Sequence, residues 1–179
     1  SSEHGVSMKS AEGIYSFIDQ QKYNLYIVEL THKSWEAILP DGTRAAIDKN
    51  DFSFEENGKR IKPDFAYITI HGTPGENGIL QGYFELIGMP YSTCDVLVSA
   101  LTFSKFLLNQ YLKGFGIRVA ESLLVKKKNG ITDEQVMETI GLPCFIKPNA
   151  SGSSFGVTKV KTKEQIQPAL EAAFKESDD

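Results

Sequence analysis

The stretch Lys147-Pro148-Asn149-Ala150-Ser151-Gly152-Ser153-Ser154-Phe155-Gly156 has the composition that most directly suggests chemistry. Small residues leave backbone N–H groups able to approach an anion, hydroxyls add donors, and Lys147 stands at the mouth of the loop. The order strand, Lys, Gly/Ser loop, strand differs from the Walker arrangement, in which the Lys follows the loop and opens a helix. The same residues read equally well as a hairpin tip with a solvated Lys. Lys105 sharpens the choice, because helical spacing puts it on one face with Leu101, Leu108 and Leu112. An ammonium there either snorkels to water, the commoner outcome for a lone Lys, or meets an anion. Two lysines converging on one Gly/Ser loop would clamp nucleotide phosphates.

A second Gly-rich stretch, His71 to Gly78, lies between an apolar β-rich run and a helix. In open α/β sheets, ligands bind in that crevice beyond the strand ends. Gly72, Gly75 and Gly78 permit close backbone approach, and the helix N-terminus attracts negative charge. His71 serves there either as a functional group or as a cap for its own strand. Glu3, just ahead of the first helix, is either an ordinary capping carboxylate or an acceptor for a substrate ammonium. Cys94 and Cys144 have no His or second Cys at metal spacing and read as packing residues. No Ser/His/Asp order suggests a hydrolase.

These groups need elements to position them. Ala11, Ile14, Tyr15 and Ile18 recur at helical spacing, with Ser7 as a candidate cap. Tyr23–Leu30 reads as a strand, and Trp35–Leu39 with Arg44–Ile47 as a hairpin around Pro40-Asp41-Gly42. Asn57-Gly58 marks a second tight turn. Phe65–Ile70 reads as a buried strand, followed by a helix presenting Ile79, Tyr83, Leu86 and Ile87. An α/β order of this kind calls for a strand ahead of the first helix, so the sequence reads as starting partway into its fold. After a boundary near Ser92–Asp95 come one long helix over 97–113, a strand at 119–126, and a short helix with a Thr132/Gln135 capping box. Strands at 144–147 and 157–160 flank the Gly/Ser loop. A last helix follows a Thr162/Gln165 box, with Pro168 awkwardly placed inside it.

Composition narrows the function classes. The 179 residues are 41% apolar and 23% charged, as in an ordinary globular protein, and suffice for one domain or two small ones. A net charge of -4 argues against general nucleic-acid binding. No apolar run approaches a membrane span, and the first residues carry no signal-peptide pattern. Two cysteines suit a reducing cytoplasm better than a disulfide framework.

Four stretches together, SSEHGVSMKSA (1–11), HGTPGENGILQGYFELIGMPYS (71–92), SALTFSKFLLNQYL (99–112) and FIKPNASGSSFGVTKV (145–160), resemble the D-alanine–D-alanine ligases, ATP-grasp carboxylate–amine ligases of peptidoglycan synthesis. They occur in the family's order across nearly the whole chain. The resemblance implies an α/β fold. An N-terminal, Rossmann-like open sheet, mostly parallel and lacking its first strand, would occupy 1–94. The small central α+β ATP-grasp domain would occupy 95–179, with the C-terminal catalytic domain absent. By resemblance, Glu3 orients the ammonium of the first D-alanine and Val6 touches its methyl group. His71 lies near the bound substrates. Lys105 and Lys147 hold ATP phosphates, and Ser154 joins them. Ser153 belongs to a hydrogen-bond network with Glu3. ATP is a substrate, and magnesium or manganese is held by the domain this chain lacks, leaving no metal ligand here. A homodimer is the family's usual state, without nucleic acid or membrane. Asn77 stands where the family usually has Asp, and Phe103-Ser104 where it has Met-Asp. A D-alanine–D-lactate ligase, or a non-catalytic module binding ATP or an amino acid, are the alternatives.

Overall fold

The computed structural model describes residues 3–152 and 154–178. The chain divides into two compact units, Ser1–Val96 and Leu97–Asp179. The first runs α1 (His4–Phe17), β1 (Ile27–Leu30), β2 (Trp35–Ile38), β3 (Arg44–Ala46), β4 (Phe54–Glu56), β5 (Lys59–Ile61) and α2 (Ile79–Leu86). β1, β2 and β3 pair antiparallel in that order, and β4–β5 is a separate antiparallel hairpin. Both expected turns form. Gly42 adopts a φ of 83°, and the Asp41 carboxylate accepts from the Thr43 hydroxyl and N–H, which holds it below its ordinary range. Asn57 and Gly58, at φ 50° and 72°, join β4 to β5 by the two-residue turn that suits twisted strands. Glu29 and Glu36 face each other across β1 and β2, a repulsive pairing that Arg44 relieves by donating to both.

The described sheets are thus small and antiparallel, where an open, mostly parallel sheet was expected. Phe65–Ile70 forms no strand and makes a single parallel bridge, Ala66 with Tyr91. Ala66 donates to the Pro90 carbonyl and accepts from Ser92 N–H. The next donor, Ile68 N–H, goes to the Ser92 hydroxyl instead of a backbone carbonyl. Pro90 has no N–H and Ser92 answers through its side chain, so the ladder stops after one rung. An apolar cavity of about 190 Å3 lies beside this segment, lined by Ile14, Val28, Ile68, Ile70, Leu80 and Phe84 among others.

The core of this unit gathers Ala37, Ile47, Phe52, Phe54, Leu80, Phe84 and Met89. Phe84 meets Phe52 edge-on at 5.1 Å, and its burial contributes roughly 2–3 kcal/mol. α2 therefore buries Leu80, Gln81 and Phe84 and leaves Ile79 and Leu86 in solvent, one position away from the face the spacing suggested. The α1 start also differs. Glu3 is its N-cap residue, and Ser7 lies inside the helix with its hydroxyl donating back to the Glu3 carbonyl.

The second unit contains α3 (Val96–Phe103, begun at the last residue of the first unit), α4 (Lys105–Gly114), α5 (Asp133–Thr139), β6 (Cys144–Ile146), β7 (Thr158–Val160), a 3-10 turn (Lys163–Gln165) and α6 (Ile166–Ala173). β6 and β7 pair antiparallel, and α6 packs on them through Ile166, Ala169 and Leu170. Both capping boxes form, at Thr132/Gln135 and Thr162/Gln165. Pro168 is accommodated because the 3-10 turn precedes α6, leaving Pro168 in the first α-helical turn, where its missing N–H costs little. Two expectations fail. The single helix over 97–113 is broken at Ser104, whose extended backbone (φ -84°, ψ 102°) caps α4. Residues 119–126 pair with no strand among the described residues. Cys144 is buried, which pushes its thiol up, whereas Cys94 is exposed and is not a core residue.

Candidate functional site

In the first unit the Glu3 carboxylate does not cap its helix. The residue is only 6% exposed, and its Oε2 lies 2.2 Å from where a Cβ on Gly72 would stand. Gly72 is thus required twice, by a φ of 72° and by the carboxylate against it. Its N–H donates to Glu76 Oε2 at 2.6 Å, and Glu76 N–H returns to the Gly72 carbonyl at 2.8 Å, closing the loop on itself.

His71, half-buried, rests against α1. Its N–H donates to Ser7 Oγ (3.0 Å), and its Nε2 is 3.1 Å from Ser10 Oγ. Ser7 and Ser10 are three residues apart and share a helix face, which lets one helix hold the residue at both its backbone and its ring. Val6, on the same helix, is 43% exposed. The loop beyond His71 is tied down by Gln81, fully buried, whose Nε2 donates to the Gly75 carbonyl (2.6 Å) and to Thr93 Oγ1 (2.9 Å). Gly75 admits no side chain, since a Cβ would stand 2.4 Å from the Ile70 carbonyl. Asn77 binds Thr73 Oγ1 through Nδ2 and accepts Ile79 N–H, so the amide serves both sides of the α2 entry.

In the second unit Lys147 follows β6 directly and is exposed, while Pro148 is fully buried. Gly156 closes the far side of the loop. A Cβ there would meet Pro148 Cγ at 3.1 Å and the Ala172 carbonyl at 3.2 Å, so the two loop stems and α6 pack as one piece. Ser154 is exposed and left-handed (φ 58°). Ser153 lies outside the described residues. Lys105 Nζ reaches this loop, donating to the Asn149 carbonyl (3.3 Å) and the Ser151 carbonyl (2.5 Å).

The candidates therefore gather as two groups, each within one unit. Glu3 and His71 meet around Gly72 in the first, and Lys105 joins the loop that Lys147 opens in the second. Sequence reasoning missed Ser10, Gln81, Ser104 and Asn149. A cap signal was available at Ser104. The others act through partners distant in sequence and leave no local pattern. Among the described residues no group of three His, Cys, Asp or Glu could hold a metal ion. Among the described residues no helix is long and apolar enough to cross a membrane.

Two family models match the chain, one described as D-ala D-ala ligase N-terminus over residues 1–94 and one as D-ala D-ala ligase C-terminus over 111–179. A D-alanine–D-alanine ligase of Phocaeicola vulgatus is 71% identical over 179 residues, covering 100% of this chain and 55% of the relative. One from Porphyromonas gingivalis strain W83 is 46% identical over 180 residues, covering 100% and 54%. Of solved structures, D-alanyl-alanine synthetase A from Vibrio cholerae superposes with a TM-score of 0.84 at 30% identity, covering 99% of this chain and 54% of that one. The VanG D-Ala:D-Ser ligase of Enterococcus faecalis gives 0.78 at 31% identity, covering 99% and 57%. The chain spans about half the length of the curated relatives it matches.

Proposed function

The chain belongs to the D-alanine–D-alanine ligase family, and from that premise we propose that it supplies the amino-acid-binding and phosphate-holding parts of an enzyme that joins two D-alanines with ATP. The observation that carries the reading is Lys105 Nζ seated on the Asn149 and Ser151 carbonyls, which brings a second ammonium to the loop that Lys147 opens. Electrostatic positioning is most of what phosphoryl transfer asks of a protein.

The proposed reaction has two steps. A carboxylate oxygen of the first D-alanine attacks the ATP γ-phosphorus, the bond to the β-phosphate oxygen breaks, and ADP leaves. The amine of the second D-alanine then attacks the carbonyl carbon of the acyl phosphate, loses a proton, and expels inorganic phosphate. Lys105, Lys147 and Ser154 hold the phosphates and offset developing charge. Glu3 takes the ammonium of the first D-alanine, Val6 contacts its methyl group, and His71 lies beside the substrates. Ser153 is assigned with Glu3 by resemblance alone. The described residues do not form a magnesium or manganese set. The ligands of that metal are assigned to the part of the relatives that this chain does not span. A cytoplasmic location and a homodimeric working form complete the reading.

The full-length protein is expected to release ADP in the presence of D-alanine and ATP. Lys147→Ala should lower that rate by about 100-fold or more, the scale of losing a charged group that acts on the transition state. Near-normal ADP release by the variant would overturn the assignment of Lys147.

A further inference from the structure

The first three backbone N–H groups of α4 have no partner within the helix and must find one outside it. Leu107 N–H goes to Ser104 Oγ at 3.4 Å, an ordinary cap. The other two go to one residue of the Gly/Ser loop stem. Lys105 N–H donates to the Asn149 carbonyl at 3.2 Å, and Phe106 N–H to Asn149 Oδ1 at 2.9 Å. The Phe106 donor requires the amide oxygen on its side, which turns Nδ2 toward Ser104 Oγ at 3.1 Å. Lys105 Nζ then folds back onto the same Asn149 carbonyl. Lys105 therefore rests at both its ends on the main-chain carbonyl of Asn149, with the Ser151 carbonyl a closer acceptor for Nζ, and the Asn149 side chain pins that stem to α4 through Phe106 and Ser104.

Resting on the functional reading above, we propose that Asn149 is the positioning residue for Lys105, locking α4 to the loop stem so that the ammonium is set in place before nucleotide arrives. A Lys has a long, flexible stem, and an unanchored one loses much of its freedom on binding phosphate. Asn149 removes that freedom in advance, as preorganisation does elsewhere. The arrangement also accounts for the short Ser104 at this cap. Asn149 bonds the Ser hydroxyl and itself supplies the side-chain acceptor for Phe106, so the short Ser is sufficient at the cap. The buried Pro148 fixes the stem on one side of Asn149, and Gly156 packs against Pro148.

The test is steady-state kinetics of the full-length protein, with KM for ATP and for D-alanine measured separately. Asn149→Ala should raise KM for ATP by about tenfold and leave KM for D-alanine within about twofold of the wild type. Asn149→Asp keeps an acceptor for Phe106 N–H and should bring KM for ATP most of the way back. A KM for ATP unchanged in Asn149→Ala, or both KM values and kcat moving in step with thermal stability, overturns the proposal. If Asn149→Ala does not fold, Asn149→Ser is read in the same way, its hydroxyl being too short to reach Phe106. A second readout separates this idea from the ligase reading. Calorimetric binding of a non-hydrolysable ATP analogue, without D-alanine, should weaken by the same factor in Asn149→Ala. A wild type that binds the analogue but does not respond to D-alanine overturns the ligase reading. Equal analogue binding by wild type and variant overturns the role of Asn149 whatever the reaction is.

Discussion

Gly72 carries two constraints that no other residue satisfies, a left-handed backbone and a carboxylate where its side chain would be. Glu3 cannot simply swing away, because it is buried against the loop. Gly72→Ala should therefore cost about 1–3 kcal/mol in denaturant unfolding, from backbone strain and the displaced carboxylate. It should also raise KM for D-alanine more than KM for ATP. A variant with wild-type stability and unaltered KM for D-alanine would mean that the Glu3 carboxylate is not held for an ammonium. The conformational need for a small residue was legible from the Gly spacing at 72, 75 and 78. The reason at Gly72 was not, because it lies in a residue at the far end of the first unit's sequence.

At the scale of elements, local chemistry determined what could be read ahead. Both capping boxes and both tight turns depend on residues within a few positions of one another, and they form as their sequences indicate. Elements that need a distant partner did not behave so. Phe65–Ile70 has the composition of a buried strand, but its neighbour offers Pro90 and the Ser92 hydroxyl instead of a ladder. The 97–113 helix is broken because Ser104 and Asn149 jointly cap a new start. That one rung of parallel pairing has its own signature in Tyr91. Partial burial, with the Tyr91 hydroxyl donating a hydrogen bond to the Glu85 carboxylate, pushes Tyr91 up to about 12. A folded-state value above the ordinary tyrosine range means Tyr91 favours the fold fully below pH ~10, and that support is lost as pH rises toward 12. Tyr26 and Tyr83 are pushed up as well, by the Glu56 hydrogen bond and by burial, so ultraviolet titration of the chain should show more than one late tyrosine, and Tyr91→Phe should remove the component near pH 12. A titration in which Tyr91→Phe removes only an ordinary component near pH ~10 would contradict the burial and hydrogen bond assigned to it.

Across the molecule, the proposed functions divide with the two units. Glu3, Val6 and His71 belong to the first, and Lys105, Lys147 and Ser154 to the second. The family was legible from four ordered stretches, whereas the sheet geometry that carries them was not, since periodicity does not say which strands will pair. The positioning residues, Ser10, Gln81 and Asn149, were hidden for a similar reason: each acts across a gap in sequence on a group already visible as a candidate. In the proposed reaction a carboxylate oxygen of D-alanine attacks the γ-phosphorus of ATP. The most direct measurement is turnover of the full-length protein with D-alanine labelled by 18O in both carboxylate oxygens. The attacking oxygen bridges carbon and phosphorus in the acyl phosphate and leaves with phosphorus when the second amine attacks. Inorganic phosphate should therefore carry one 18O atom for each dipeptide formed. Unlabelled phosphate, or label transfer that is not coupled to dipeptide, would contradict that reaction.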